Sequence, residues 1–219
     1  PECCGMPLLE QGNIEKVSFS AEKISESFVE FIEDGYDVIT LTSSCALMMK
    51  YEWPLILPDN NSVKLLSENT YDIDEYIVDI SKNEGLVEGM QPVDGGISLH
   101  LACHSRAQNM GAKSNELLKL IPDADISIVE RCSGHGGTFG VLSQTHDLAR
   151  KLGKPAARQV AKVDPSFVIS SCPLASKHLS QITKEDIIKG NEKSQIKSGH
   201  PIELMAVSYG FLNKDEMSE

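Results

Sequence analysis

The sequence predicts an α/β protein of two pseudo-symmetric halves, each with a short, mainly parallel sheet flanked by helices. Three observations carry that expectation. Amphipathic helical stretches alternate with short apolar runs, the rhythm of βα units. Glu2-Cys3-Cys4-Gly5 is echoed by Arg131-Cys132-Ser133-Gly134, and Ser43-Ser44-Cys45 by Ser170-Ser171-Cys172. The spacings agree, since Cys45 follows Cys3 by 42 residues and Cys172 follows Cys132 by 40. Repetition at matched spacing marks a duplicated structural unit.

Residues 11–34 read as a helix. Ile14, Val17, Ala21, Ile24, Phe28 and Phe31 recur at three- and four-residue steps, and Gly35 ends the pattern. Tyr36 to Thr42 is a short buried strand. It runs into Ser43-Ser44-Cys45 and a helical Ala46-Leu47-Met48-Met49-Lys50, so Cys45 sits where strand meets helix. Trp53-Pro54 and Pro58-Asp59-Asn60-Asn61 break the pattern. Residues 62–84 form one or two helices, with Val63, Leu66, Ile73, Ile77 and Ile80 inward. The connector from Gly85 to Gly96 divides the chain into halves 1–94 and 95–219.

In the second half, Ile97 to Leu101 alternates as a strand and delivers Cys103-His104. Residues 107–121 are helical, and strand 126–129 delivers Cys132. Residues 139–162 are mainly helical, interrupted near Gly153 and Pro155. Phe167-Val168-Ile169 is a strand delivering Ser170-Ser171-Cys172-Pro173, and a helix starts near Ala175. Thr183-Lys184-Glu185-Asp186 resembles a capping box. Residues 201–212 form a last apolar helix, and the tail from Asn213 is expected to fray.

The bulk properties exclude some classes. The net charge of −12 opposes a nucleic-acid role, because phosphate binding relies on clustered Lys and Arg. Aromatic residues, at 5%, offer no base-stacking platform. No apolar run approaches the roughly 20 residues of a membrane span. A chain of 219 residues buries a core without staples, and no basic-then-apolar leader opens it, so the six cysteines are expected to be reduced.

Those cysteines carry the chemistry. Cys103, Cys132 and Cys172 each follow a predicted strand, so parallel strands bring them to one sheet edge. Three converging thiolates suit an iron–sulfur cluster, zinc or a reactive thiol, and buried inert thiols are the competing reading. Cys3, Cys4 and Cys45 form a second, incomplete group. Cys103 has no counterpart in the first half. That counterpart would fall ahead of Pro1, so an N-terminal part of the repeat is expected to be missing. His100, His104 and His135 lie near the cysteines and read first as hydrogen-bonded structural histidines, second as ligands or tuners. His146, His178 and His200 read as surface or packing residues. A Cys132–His104 or Cys132–His135 nucleophile pair is the hydrolase alternative, but three strand-end cysteines are redundant for it.

Cys3-Cys4-Gly5-Met6-Pro7, Ser44-Cys45-Ala46-Leu47-Met48, His100-Leu101-Ala102-Cys103-His104, Glu130-Arg131-Cys132-Ser133-Gly134-His135 and Cys172-Pro173-Leu174-Ala175 together resemble the cysteine-rich CCG domain family. That family includes the B component of heterodisulfide reductase and the C component of anaerobic glycerol-3-phosphate dehydrogenase, with heterodisulfide-reductase-related iron–sulfur proteins. The resemblance implies an electron-transfer component of an oxidoreductase holding a [4Fe–4S]-type cluster, cubane or non-cubane. Its ligands would be Cys3, Cys4 and Cys45 in one motif and Cys103, Cys132 and Cys172 in the other. It also implies a redox protein partner, such as a flavin dehydrogenase component or a rubrerythrin-like protein, and a quinone or disulfide acceptor. The implied location is cytoplasmic, with peripheral association at the inner membrane through a partner. The chain departs from the pattern at Ser133, in place of the second Cys of the pair, and at Thr42 and Ile169, in place of the first Cys of each Cys-x-x-Cys. A three-cysteine cluster with one open or non-cysteine site fits the second motif better. The alternative from another class is a non-redox assembly module that holds zinc or no metal.

Overall fold

The computed structural model describes residues 2–188 and 196–218. Helix α1 (Met6–Glu10) and helix α2 (Ile14–Glu33) lead to strand β1 (Val38–Thr40). The helix expected over 11–34 is present, with Val17, Ala21 and Ile24 inward, but Ile14 and Phe31 lie at the surface. Helix α3 (Ser43–Leu47) passes through a wide π turn, Met48–Glu52, into α4 (Trp53–Ile56). Trp53-Pro54 therefore does not break the helical path. Pro54 directly follows the π turn, and the fully buried Trp53 anchors this junction in the core.

Two helices fill the next stretch, α5 (Asn61–Glu68) and α6 (Ile73–Asn83), with a strand between them, β2 (Thr70–Asp72). The apolar pattern does not predict β2. It pairs in parallel with β1, with Thr40 opposite Asp72. Val17, Ala21, Val63, Leu66 and Trp53 make the core around this two-stranded sheet.

The second sheet has four parallel strands in the order β4-β3-β5-β6. Strands β3 (Ile97–His100), β4 (Ile126–Val129) and β5 (Phe167–Ile169) fall where the apolar runs predict them, and β6 (Lys197–Gly199) is an addition to that pattern. Helices α7 (Cys103–Ala107) and α8 (Lys113–Leu118) replace the single helix expected over 107–121. Helix α9 (His146–Lys162) and helix α10 (Pro173–Ile182) cover one face through Ala156, Ala157, Val160, Leu179 and Ile182. Helices α6, α8 and α11 (Pro201–Ser208) cover the other, through Val78, Leu117, Leu118 and Leu204.

Three further expectations are corrected. Helix α9 runs unbroken through Gly153 and Pro155. Its buried alanines and Val160 outweigh the ~3 kcal/mol of an internal proline, and Gly153 permits a close backbone approach described below. Thr183-Lys184-Glu185-Asp186 is no capping box; it continues α10 as a π turn, Thr183–Ile187. The C-terminal tail does not fray. It makes a 3-10 turn, Lys214–Glu216, buries Met217 and pairs Ser218 with Ser198 at the edge of β6.

Candidate functional site

In the order β4-β3-β5 the chain steps from β3 to β4 on one side and then crosses back to β5 on the other, so the strand order reverses at β3. Ligand sites in open α/β sheets gather at the C-terminal ends of strands at such a point. Cys103, Cys132 and Cys172 follow the C-terminal ends of β3, β4 and β5. Their sulfurs share one neighbourhood: Cys132 acts electrostatically on Cys103, and Cys103 on Cys172. Cys3, Cys4 and Cys45 form a separate trio, with Cys4 bonded to Cys45 and Cys3 beside both. All six cysteines are free. Cys3, Cys103 and Cys132 are exposed, Cys45 and Cys172 half-buried, and Cys4 buried.

The second trio hangs on a bracket of hydrogen bonds. His100, at the end of β3, reaches Arg131 O through Nε2 at 3.0 Å and Ser170 Oγ through Nδ1 at 3.1 Å. A carbonyl only accepts, so Nε2 carries the proton and Nδ1 takes the hydroxyl hydrogen. Ser170 Oγ also accepts the Cys172 N–H at 3.3 Å. The bracket joins three strand ends and fixes Arg131, just before Cys132, to Ser170, just before Cys172. Burial pushes the His100 pKa down to about 4, so the ring stays neutral at physiological pH. His100 is thus a structural histidine.

The signature turn lies directly on α9. Gly134 has φ +78, and a Cβ there would stand 2.3 Å from Ala149 O and 2.5 Å from Gly153 N. A Cβ on Gly153 would in turn stand 2.3 Å from Ser133 O. The two glycines let turn and helix backbone touch. Gly134 N–H donates to Cys132 Sγ at 3.3 Å, and Ser133 Oγ accepts the His135 N–H at 3.4 Å. Ser133 therefore supports its own turn. His135 is buried, with its ring 5.6 Å edge-on from His178, which His146 approaches at 6.1 Å. His200, the other histidine placed among packing residues, caps α11: its Nδ1 accepts the Ile202 N–H at 3.2 Å. Ile169 is fully buried beside Leu99 and Phe167, so that side-chain position belongs to the core.

The first trio is built differently. Gly5, with φ +86, turns the chain into α1, and Trp53 Nε1–H donates to Cys4 O at 3.1 Å. The Cys4 and Cys45 thiols act on one another. The bond to Cys45 and then burial push the Cys4 thiol up, while the same bond pulls Cys45 down. In the second trio burial pushes both Cys103 and Cys172 up.

The trios sit close together. α3 packs on α7, so the turn after Cys45 meets the helix that begins at Cys103. Ser43 N–H and Ser43 Oγ–H both donate to Ser171 O, each at 3.4 Å. Gln108 Nε2 donates to Ser43 O at 3.2 Å and to Asp72 Oδ2 at 3.1 Å. Helix α1, five residues long, runs from the Cys4 turn to Glu10, whose carboxylate accepts the Thr138 N–H at 3.4 Å beyond the second signature turn. Helix α1 thus links the first cysteine turn to the segment just beyond the second. Nothing in the sequence singles out Glu10, Gln108 or Asp72. Their roles are contacts across the fold and leave no local motif.

Donor chemistry fits an iron–sulfur group. Each trio offers three free thiols at a mouth open to solvent, with a backbone N–H of the second signature turn aimed at sulfur. Among the described residues no three His, Cys, Asp or Glu side chains are gathered tightly enough to hold a single metal ion.

Comparison with known proteins agrees. The chain is 27% identical over 212 residues to the B subunit of fumarate reductase (CoM/CoB) from Methanothermobacter marburgensis, covering 94% of this chain and 38% of that protein. It is 24% identical over 207 residues to the C subunit of anaerobic glycerol-3-phosphate dehydrogenase from Escherichia coli K12, covering 94% of this chain and 49% of that protein. An uncharacterized iron–sulfur protein of Methanocaldococcus jannaschii is 29% identical over 184 residues, 83% of this chain and 34% of its own length. The chain thus spans less than half of each of these relatives. The cysteine-rich domain family CCG matches residues 1–50 and 97–179, the two stretches that carry the cysteine trios, and the chain belongs to that family.

Proposed function

We propose that this chain is an iron–sulfur electron-transfer module of an oxidoreductase, holding [4Fe–4S]-type clusters in its two halves. The observation that carries the reading is the gathering of six free cysteines into two trios: Cys3, Cys4 and Cys45, and Cys103, Cys132 and Cys172. When bound, such clusters take up and release single electrons. The protein's own part is to hold the thiolates, to donate N–H groups such as that of Gly134 to sulfur, and to keep the His100 bracket neutral. The packing of α3 on α7, with Ser43 bonded to Ser171, supports passage of an electron from one site to the other. The exposure of Cys3, Cys103 and Cys132 supports docking of a redox partner over the sites. That partner is a flavin-bearing dehydrogenase component or a rubrerythrin-like protein, and the terminal acceptor is a quinone or a disulfide. Relatives named as components of a fumarate reductase and a glycerol-3-phosphate dehydrogenase support this class. Among the described residues no helix is long and apolar enough to cross a membrane. Membrane association in this reading is peripheral, through the partner.

Anaerobic purification or reconstitution tests the reading. Iron, acid-labile sulfide, visible absorption and EPR of the wild type are compared with Cys3→Ser and Cys132→Ser. The expected result is brown protein in which each substitution removes part of the iron and a different part of the EPR spectrum. Colourless protein that takes up zinc alone, or a cluster indifferent to both substitutions, overturns it.

A further inference from the structure

The two halves do not share the net charge. Residues 1–94 carry 19 acidic and 5 basic side chains, a net −14, whereas residues 95–219 carry 13 and 15, a net +2. Two helices in the same place of the repeat carry the contrast. Helix α2 follows the first signature turn and leads into β1, and helix α9 follows the second and leads into β5.

The solvent face of α2 presents Glu15, Glu22, Glu26, Glu30 and Glu33 at steps of seven, four, four and three residues, all exposed. Phe19 stands exposed among them. Lys23 lies on the same face, held by Glu2, and none of the five glutamates joins an ion pair among the described residues. The solvent face of α9 presents Lys151, Arg158 and Lys162 at steps of seven and four, all exposed, with Leu148 and Leu152 exposed beside them. Arg150 and Lys154 are taken up by Glu185 and Asp186, but the other three cations join no ion pair among the described residues. Asp147 is the single acid of α9. Like charges gathered on one helix face repel one another, and each of these faces relieves the other when they meet. Each also carries apolar side chains for the centre of such a contact, with charges for its rim.

We propose that the partner of both faces is a second copy of this chain, with α2 of one copy lying on α9 of the other. The contact joins unlike surfaces, and a two-fold axis closes it by making it twice. A helix of 17 residues is about 25 Å long and about 10 Å wide, so one contact covers roughly 250 Å² a side. Two such contacts approach, without reaching, the about 800 Å² per partner of a standard interface, which makes the dimer reversible and salt-sensitive. No cysteine takes part, so the dimer does not require a bound cluster. The inner face of α2 lies against Gly5 through Val17, and that of α9 against Gly134 through Ala149 and Gly153. The dimer therefore sets the first cysteine turn of each copy against the second turn of the other, with the paired helices between them.

The test is sedimentation velocity of the full chain at about 0.1 M salt, where a Debye length of ~10 Å leaves only neighbouring charges in force, and at about 1 M, where it is ~3 Å. The wild type is expected at twice the chain mass in the first and at the chain mass in the second. Two charge-reversed chains divide the contact. One carries Glu22→Lys, Glu26→Lys and Glu30→Lys, and the other Lys151→Glu, Arg158→Glu and Lys162→Glu. All six positions are at or near the surface of their helices, and circular dichroism checks that both variants fold. Each variant alone is expected to stay at the chain mass, because its α2 and α9 no longer attract. An equal mixture of the two is expected to return to twice that mass, because both contacts again pair opposite charges. A wild type that stays at the chain mass at about 0.1 M salt overturns the proposal. So does a dimer that persists in either variant alone, since it uses another surface, and so does a mixture that stays at the chain mass.

Discussion

The two cysteine turns share one pattern and are supported in opposite ways. Cys3-Cys4-Gly5 is pinned from below by the Trp53 indole and keeps its partner thiol, Cys4, buried against Cys45. Cys132-Ser133-Gly134 has a serine in that place and is pinned by backbone contact with α9 at Gly153. One turn holds its shape with side chains, the other with the absence of them. The sheets beneath differ likewise: two strands under the first, four under the second. Three of the four strands end in the His100 bracket or just before a cysteine, so the second trio is the more rigidly held. In the first trio the Cys4 and Cys45 thiols instead act on one another, pushing Cys4 up and pulling Cys45 down.

The sharpest way to break the comparison is Gly134→Ala. The new methyl would meet Ala149 O at 2.3 Å and Gly153 N at 2.5 Å, both backbone atoms that cannot step aside, at φ +78. Overpacking and left-handed strain together cost about 4 kcal/mol. The expected outcome is a large fall in urea midpoint and loss of the Cys132-dependent EPR signal, with the first-trio signal retained where the protein still folds. A wild-type midpoint would show that turn and helix do not touch as described.

The contact between α6 and α8 gives a second, pH-dependent effect. Asp74 is buried, with one oxygen taking the Ser114 hydroxyl hydrogen and the other unpartnered among the described residues. Burial first, and then the charge of Asp72, raise its pKa to about 7. The folded chain thus keeps a proton that the unfolded chain gives up at about pH 4. The stability this contributes is complete below that pH, drains as pH rises, and is gone once the folded group also ionises near 7. Between about pH 5 and pH 8 the loss is about 3 kcal/mol at ~1.36 kcal/mol per unit. The buried histidines, His100 and His200, act in the opposite sense over the lower part of that range, so the test is the difference between the two proteins: relative to Asp74→Asn, the wild-type urea midpoint should fall as pH rises. A difference that does not change with pH would refute the buried, protonated Asp74.

The opposite shifts of Cys45 and Cys172 predict a difference that chemistry can read without any metal. Cys45 and Cys172 are both half-buried, so access does not separate them. The bond from Cys4 pulls Cys45 down, whereas burial and the neighbouring Cys103 push Cys172 up. In metal-free protein at neutral pH, iodoacetamide is expected to label Cys45 severalfold faster than Cys172, followed by mass spectrometry, because the thiolate is the nucleophile. Cys4→Ala should erase much of the lead. Faster labelling of Cys172 would contradict the proton placement.

How much of this is legible in the sequence depends on where each feature gets its stability. β3, β4 and β5 announce themselves as apolar runs, because each contributes side chains to the cores on the faces of the sheet. β2 and β6 do not. Thr70-Tyr71-Asp72 and Lys197-Ser198-Gly199 are polar triplets that become strands by borrowing hydrogen bonds from β1 and β5. The cysteine trios are legible as a repeat, since duplication leaves a spacing. The Glu10 contact is not, because it joins Glu10 to Thr138 across the fold and leaves no local motif. Gly153 reads as a helix interruption for the same reason: its function is to admit a backbone from elsewhere, which local propensity cannot express.

The mildest test returns to the first turn. Gly5 has φ +86, yet a Cβ there would meet only Val17, with Cγ2 nearest at 3.5 Å, an ordinary contact. Gly5→Ala therefore pays for left-handed strain alone, about 1–2 kcal/mol, with no clash added. Measured beside Gly134→Ala in the same urea titration, it separates conformational cost from packing cost at matched positions of the repeat. A loss as large as that of Gly134→Ala would mean that the first turn is also pinned by backbone contact, and the contrast between the two turns would collapse. A small loss leaves the Trp53 indole as the support of the first turn. Trp53→Phe, which removes the donor to Cys4 O but keeps an aromatic ring, should then weaken the Cys3-dependent cluster signal and leave the Cys132-dependent one unchanged.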